Sequence, residues 1–279
     1  MSENDRERTF SALRLNARGT KPRRVGVTEI RGPYYSPMGL NYLEDILETM
    51  GAYVDALKFA GGSFSLMPKD LVRAMIDRCH EHEVLVSTGG FIEYVLTQGP
   101  DMVAEYLKAC EEVGFDIIEI STGFITIPTD DWLRLIETVQ TRGFKAKPEV
   151  GIQFGAGGAT ASEALAAEGT MDPGWAIQQA RRFLEAGAYM VMIESEGITE
   201  NVDHWRTDVP AMIARELGLE KVMFEAAEPD VFQWYVKNYG PEINLFVDHS
   251  QIVQLECLRS GIWGTKSLWG RVLTYKGSG

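Results

Sequence analysis

Eight short apolar runs, each followed by a longer stretch of mixed polarity, constrain this chain more than any other feature. The runs are 25–32 (VGVTEIRG), 55–62 (DALKFAGG), 84–90 (VLVSTGG), 116–123 (DIIEISTG), 145–153 (KAKPEVGIQ), 189–197 (YMVMIESEG), 222–228 (VMFEAAE) and 243–250 (INLFVDHS). The intervening stretches carry helical periodicity, with Pro68 and Asp70 suited to a first turn and Gly51 suited to a helix stop. Eight strand–helix alternations within 279 residues predict an α/β fold, a (β/α)₈ TIM barrel closed by eight parallel strands. A doubly wound open sheet is the structural alternative. Its nucleotide-binding version is weakened because no GxGxxG or GxxxxGK[ST] pattern opens a helix. Pro148 lies inside the fifth run and lacks an N–H for the ladder, so a bulge or a strand end is expected there.

The expected organisation is a polar leader over 1–24, one barrel domain over 25–262 and a tail over 263–279. The tail has two Trp residues and is expected to wrap the barrel or meet another subunit. The leader is charged and has no apolar core, so no signal peptide is read, and no apolar run reaches the ~20 residues of a membrane span. A net charge of −13 argues against nucleic acid and anionic membranes as partners. It is compatible with a small anionic substrate met by local cations or a metal. Cys79, Cys110 and Cys257 form neither a disulfide framework nor a zinc motif, which suits a reducing, cytoplasmic location.

In such a barrel the active site lies where strands end and βα loops begin. Charged residues recur there. Glu29 and Arg31 end the first run, Lys58 the second, and Glu93 follows Gly89 and Gly90 after the third. Glu119 and Ser121 end the fourth, Lys147 and Glu149 lie on the fifth, and Glu194 and Glu196 end the sixth. Glu225 and Glu228 end the seventh, and Asp248, His249 and Ser250 the eighth. Convergent carboxylates repel unless they are protonated or hold a cation. All-oxygen ligation suits Mg²⁺, with Glu149, Glu194, Glu225 and Asp248 as the expected ligands. Lys58, Glu119, Lys147, Glu149 and His249 are the expected catalytic groups, since a Lys among carboxylates can anchor an anion or transfer a proton. Arg31, Gly62, Gly89, Gly90 and Ser121 are expected to contact substrate. Gly157 and Gly158, in the GAGGAT segment 155–160, read either as a mobile loop or as a backbone nest for phosphate or carboxylate. His80 and His82 sit at a helix end and are expected to be solvated.

At the same residues the chain resembles the phosphosulfolactate synthase family, the ComA-like proteins. The segments that carry the resemblance are YLEDILETMGAYVDALKFAGGS, STGGFIE, YLKACEEVGFDIIEISTG, PEVG, LEAGAYMVMIESEG, FEAAEP, INL and LECLRSG, in that order. The resemblance implies a (β/α)₈ barrel that forms a homo-oligomer. It also implies a Mg²⁺-dependent lyase activity in which sulfite adds to phosphoenolpyruvate. Three departures bear on that reaction. The family commonly shows Asp-Lys-Gly after the first strand, where this chain has Glu29-Ile30-Arg31-Gly32. It commonly has a Lys pair after the Glu-Val-Gly of the fifth strand, where Ile152 and Gln153 stand here. Its Asn-Leu-Gly-Asn on the eighth strand is replaced by Asn244-Leu245-Phe246-Val247. A different enzyme on the same scaffold is therefore kept as an alternative, performing metal-assisted proton abstraction, addition or elimination on another small carboxylate or phosphate. Plant relatives associated with heat stress resemble the family too, which leaves a non-catalytic role as a third reading.

Overall fold

The computed structural model describes residues 8–121, 123–154, 161, 163, 167 and 172–275. Eight strands follow one another: β1 (Thr28–Arg31), β2 (Ala56–Lys58), β3 (Leu85–Ser87), β4 (Ile117–Ser121), β5 (Lys145–Val150), β6 (Val191–Ile193), β7 (Val222–Glu225) and β8 (Leu245–Asp248). Each pairs in parallel with the next, and β8 pairs with β1, so the sheet closes into a barrel. Each lies in one of the eight apolar runs, although the hydrogen-bonded part of each is shorter than its run.

The helices show why the mixed-polarity stretches coil. In Thr129–Thr141 the buried residues are Trp132, Leu135, Ile136 and Val139, one stripe at helical spacing. Pro100, Pro173 and Pro229 each begin a helix, where a missing N–H costs nothing, and Asp172 accepts a cap bond from Gly174 N at 2.9 Å. The first helix, Leu40–Met50, stops at Gly51 but not by a left-handed cap: Gly51 keeps φ −54° and opens a 3₁₀ turn over Gly51–Tyr53. Its carbonyl is bonded by Val54 N and Lys21 Nζ, which leaves no need for the left-handed turn.

Pro148 makes neither a bulge nor a strand end. β5 runs through it, with Pro148 opposite Ile120. The Ala146 and Val150 carbonyls both accept bonds from the β6 side, so Pro148, midway between them, turns the same backbone edge toward β6. Pairing of β5 with β6 begins only at Glu149, and the missing N–H falls below that point.

Two apolar regions result. The larger lies between the strands and the helices. The smaller, made of Val27, Met190, Met192, Met223 and Phe246, fills part of the barrel interior. Buried Asn244 ties the closure together: its Oδ1 accepts from Val27 N at 2.9 Å, and its Nδ2 donates to the Leu219 and Val222 carbonyls. Leader and tail are joined through Asn16, which donates to the Arg259 and Val272 carbonyls and accepts from Thr274 N. Among the described residues no helix is long and apolar enough to cross a membrane.

Candidate active site

Alternate residues of each strand point inward, and the interior of this barrel is charged along most of its length. On its floor, Lys147 bonds Glu29 and lies 3.0 Å from Glu119. Above it, Lys58 Nζ is 2.8 Å from Glu119 and 3.7 Å from Glu149, and sits 4.0 Å from the centre of the Phe246 ring. At the mouth, one carboxylate oxygen from each of Glu149, Glu194 and Glu225 lies within 4.8 Å of the other two. Arg31 closes this level, donating to Glu225 at 2.7 Å and to Tyr35 Oη at 3.2 Å. Ser121 Oγ donates to Glu149 Oε1 at 3.0 Å, and the Glu194 carboxylate accepts from Ser195 N and Glu196 N. The mouth is a cavity of about 490 Å³ whose lining, among the described residues, has Glu93, Glu119, Glu149, Glu194, Glu200 and Glu225 against only Arg31 and Lys58.

These charges set one another's protonation. Burial pushes the Glu149 carboxyl up to about 8, helped by the Glu119 charge and resisted by Lys58. Burial, then Glu225 and Glu149, holds Glu194 well above the ordinary carboxylate range. Burial would raise Glu119 too, but Lys58 and Lys147 outweigh it and hold that carboxyl below its usual value. Burial pulls Lys58 down, yet Glu119 and Glu149 overcome it and hold the ammonium above its usual value. Lys58 is thus a fixed cation, poorly suited to giving up a proton at neutral pH. Two of the three convergent carboxylates resist ionising unless a cation joins them. An all-oxygen set of this kind fits a hard divalent ion such as Mg²⁺.

The structure brings together Arg31, Lys58, Gly89, Gly90, Glu119, Ser121, Glu149, Glu194 and Glu225 around this mouth. Four expected residues stand elsewhere. Asp248 turns aside to accept bonds from Ser250 N and Oγ, capping a short 3₁₀ turn, and is not part of the carboxylate group. His249 is committed at both nitrogens: Nδ1 meets the Arg31 carbonyl at 2.9 Å and Nε2 meets Tyr42 Oη at 3.0 Å. A carbonyl can only accept, so Nδ1 carries the proton and the ring is a structural tie. Gly62 packs its backbone against the Phe91 ring, with φ +69°, while its neighbour Gly61 lines the mouth. Lys147 lies a layer too deep and lines the opposite opening of the barrel. Gly157 and Gly158 fall outside the described residues. Glu196 lies beyond β6, which ends at Ile193, and accepts a bond from Asn201.

Sequence reasoning misses Glu200 and the aromatic lining of Tyr34, Tyr35, Phe91, Tyr94 and Phe124. All of these lie on loops or short helices beyond the strands, where alternation gives no direction. Glu93, noted in sequence only by its position, receives the Phe124 N–H and is raised by burial.

Residues 16–265 match the family model described as (2R)-phospho-3-sulfolactate synthase (ComA). The chain belongs to this family. Among phosphosulfolactate synthase relatives it is similar to those of Methanothermobacter thermautotrophicus, 28% identical over 88% of this chain and 93% of the relative, and Bacillus subtilis, 26% identical over 90% and 96%. It is also 41% identical to Protein HEAT-STRESS-ASSOCIATED 32 of Arabidopsis thaliana, over 87% of this chain and 88% of that protein. Among solved structures, the carboxyl transferase domain of Rhizobium etli pyruvate carboxylase superposes with a TM-score of 0.55 at 10% identity, over 81% of this chain and 40% of that one. That likeness shows the barrel alone. In the barrel interior Phe246 supports both Lys58 and Arg31, with the Arg31 guanidinium 4.9 Å from its ring centre.

Proposed function

We propose that this chain is a Mg²⁺-dependent lyase acting on a small anionic substrate, with the addition of sulfite to phosphoenolpyruvate as its reaction. The observation that carries this reading is the convergence of Glu149, Glu194 and Glu225 at the C-terminal mouth of the barrel. Those three would hold the ion, and when bound it would neutralise substrate charge and stabilise the enolate-like charge of the addition.

The chain's own groups supply the rest. Arg31 and Lys58 face the anionic ends of the substrate. Gly89, at φ +60°, and Gly90 line the mouth and pack against the Phe59 carbonyl and the Ser121 side chain, where a Cβ would collide. Ser121 holds Glu149 in place. Tyr34, Tyr35, Phe91, Tyr94 and Phe124 restrict water around the reacting carbons. In the addition, sulfite sulfur bonds the methylene carbon and the neighbouring carbon takes a proton. No Lys follows Gly151 to provide it. Glu93 and Glu200 line the mouth outside the three-carboxylate group, and burial raises both, so they are the carboxyls able to hold a proton for transfer.

A second reading rests on the charge count. Among the described residues two cations face six carboxylates, which favours a substrate pair less anionic than phosphoenolpyruvate with sulfite, handled by the same metal-assisted chemistry on another carboxylate or phosphate. The name of the 41% identical relative points to a role in heat stress, and the buried carboxylate group supports catalysis over a purely non-catalytic role. Incubation with Mg²⁺, phosphoenolpyruvate and sulfite, followed by phosphorus NMR, decides among them. Phosphosulfolactate formed by the native chain and not by Glu194→Gln supports the first reading. Mg²⁺ binding without product leaves the second, and failure to bind Mg²⁺ removes both enzymatic readings.

A further inference from the structure

The barrel has a second opening that plays no part in the chemistry above. At the N-terminal ends of the strands lies a cavity of about 560 Å³, at the opposite end of the barrel from the mouth. This volume is in the range of small-molecule sites. Its floor includes Glu29, which is wholly buried. One Glu29 oxygen pairs with Lys147, while Oε1 has no hydrogen-bond partner among the described residues. A buried charged acceptor left in that state is costly, and a donor would offset the cost. Tyr189 lines the same cavity, its hydroxyl pushed up to about 12 by burial and by the nearby Glu29 charge.

The rim differs from the floor. Lys21 is spent on the Gly51 and His82 carbonyls and Arg23 on Asp55. Arg24 and Lys145 line the cavity too, yet neither has a carboxylate partner among the described residues; Lys145 only overlies the Tyr189 ring at 5.6 Å. Lys21, Arg23, Arg24, Lys145 and Lys147 line the cavity against Glu29, Asp55, Glu83 and Asp116, so the two uncommitted cations leave it a slight positive excess in a chain of net charge −13.

We propose that this cavity is a second binding site, for a small organic anion carrying a hydroxyl or ammonium donor at the end away from its charge. The donor meets Glu29 Oε1, the anionic group meets Arg24 and Lys145, and the carbon chain lies along Val27, Leu85 and Met223.

Glycerol 3-phosphate is a suitable probe, with hydroxyls at one end and phosphate at the other. Titration calorimetry on the full chain compares the native protein with Arg24→Ala/Lys145→Ala, whose changes are confined to exposed side chains, and with Glu194→Gln at the catalytic mouth. The expected result is saturable binding, weakened about tenfold or more by the rim pair and altered by less than about twofold by Glu194→Gln. Inorganic phosphate, which cannot span rim and floor, is expected to bind about tenfold less tightly. Absence of saturable binding overturns the proposal. So does binding that survives the rim substitutions and disappears in Glu194→Gln, which would place the probe at the catalytic mouth. Equal affinity for inorganic phosphate overturns the contact with Glu29.

Discussion

The Lys58 ammonium lies 2.8 Å from Glu119 Oε2 inside the barrel, where neither side chain is more than 5% exposed. This pair lies between the carboxylates of the mouth and the ion pairs of the floor and touches both.

At the mouth, Glu194→Gln and Glu225→Gln are expected to weaken Mg²⁺ or Mn²⁺ binding by about tenfold or more, because each removes one of three convergent carboxylates. Manganese titration followed by electron spin resonance reads this directly. The Glu194 carboxyl already resists ionising, so the melting temperature of metal-free Glu194→Gln should stay near the native value, whereas Glu225→Gln also removes the partner of buried Arg31 and should lower it. Unchanged Mn²⁺ affinity in both variants would dissolve the assignment of the ligands.

Glu149 titrates at about 8 in the metal-free fold, against an ordinary 4.5. Between those values the folded chain keeps a proton that the unfolded chain has released. The contribution of Glu149 to stability is therefore greatest at low pH and declines as pH rises toward 8. A divalent ion must displace that proton, so its affinity rises over the same window. The stabilisation by Mg²⁺, measured as a shift in melting temperature, should be larger at about pH 9 than at about pH 6. An equal shift at both would contradict the protonated state of Glu149.

On the floor, Lys147→Met leaves Glu29 and Glu119 without their shared cation. Breaking a buried pair from one side costs about 3–5 kcal/mol. Urea unfolding should show a loss of that order, and Glu29→Gln added to Lys147→Met should restore part of it. Additive losses would mean that the two groups do not interact.

His249→Ala tests a tie rather than a catalyst. It removes the bonds to the Arg31 carbonyl and the Tyr42 hydroxyl and should cost about 1–3 kcal/mol in unfolding experiments. Metal affinity at the mouth should stay within about twofold of the native value. A large drop in metal affinity without loss of stability would return His249 to the site.

The barrel is legible in the sequence because its period is double: strands of similar length recur, each followed by a helix stripe such as Trp132, Leu135, Ile136 and Val139. Glu119, Glu149 and Glu225 are legible as residues lining the mouth because they stand on strand positions whose inward direction follows from alternation. Asp248 and His249 are misplaced because β8 passes at once into a 3₁₀ turn, and local capping and a bond back to Arg31 decide where those side chains point. Lys147 shares the inward face of Glu149 but lies one layer lower, a depth that spacing alone cannot separate from the mouth. Glu200 takes its place from the turn after β6, where it receives Ser195 Oγ, and no periodic signal reports such a contact.

From the N-terminal opening toward the mouth, Glu29, Lys147, Glu119 and Lys58 alternate in sign. Such a file has a parity. Removing any inner member brings two like charges to face each other with nothing between them, whereas removing two neighbours together leaves the remainder neutralised. Single substitutions along this axis are therefore penalised more than adjacent pairs. The loops above the strands are free of that constraint, and each of their residues can change alone. The chemistry at the top of this barrel can drift one residue at a time, while the axis beneath it can be revised only two at a time.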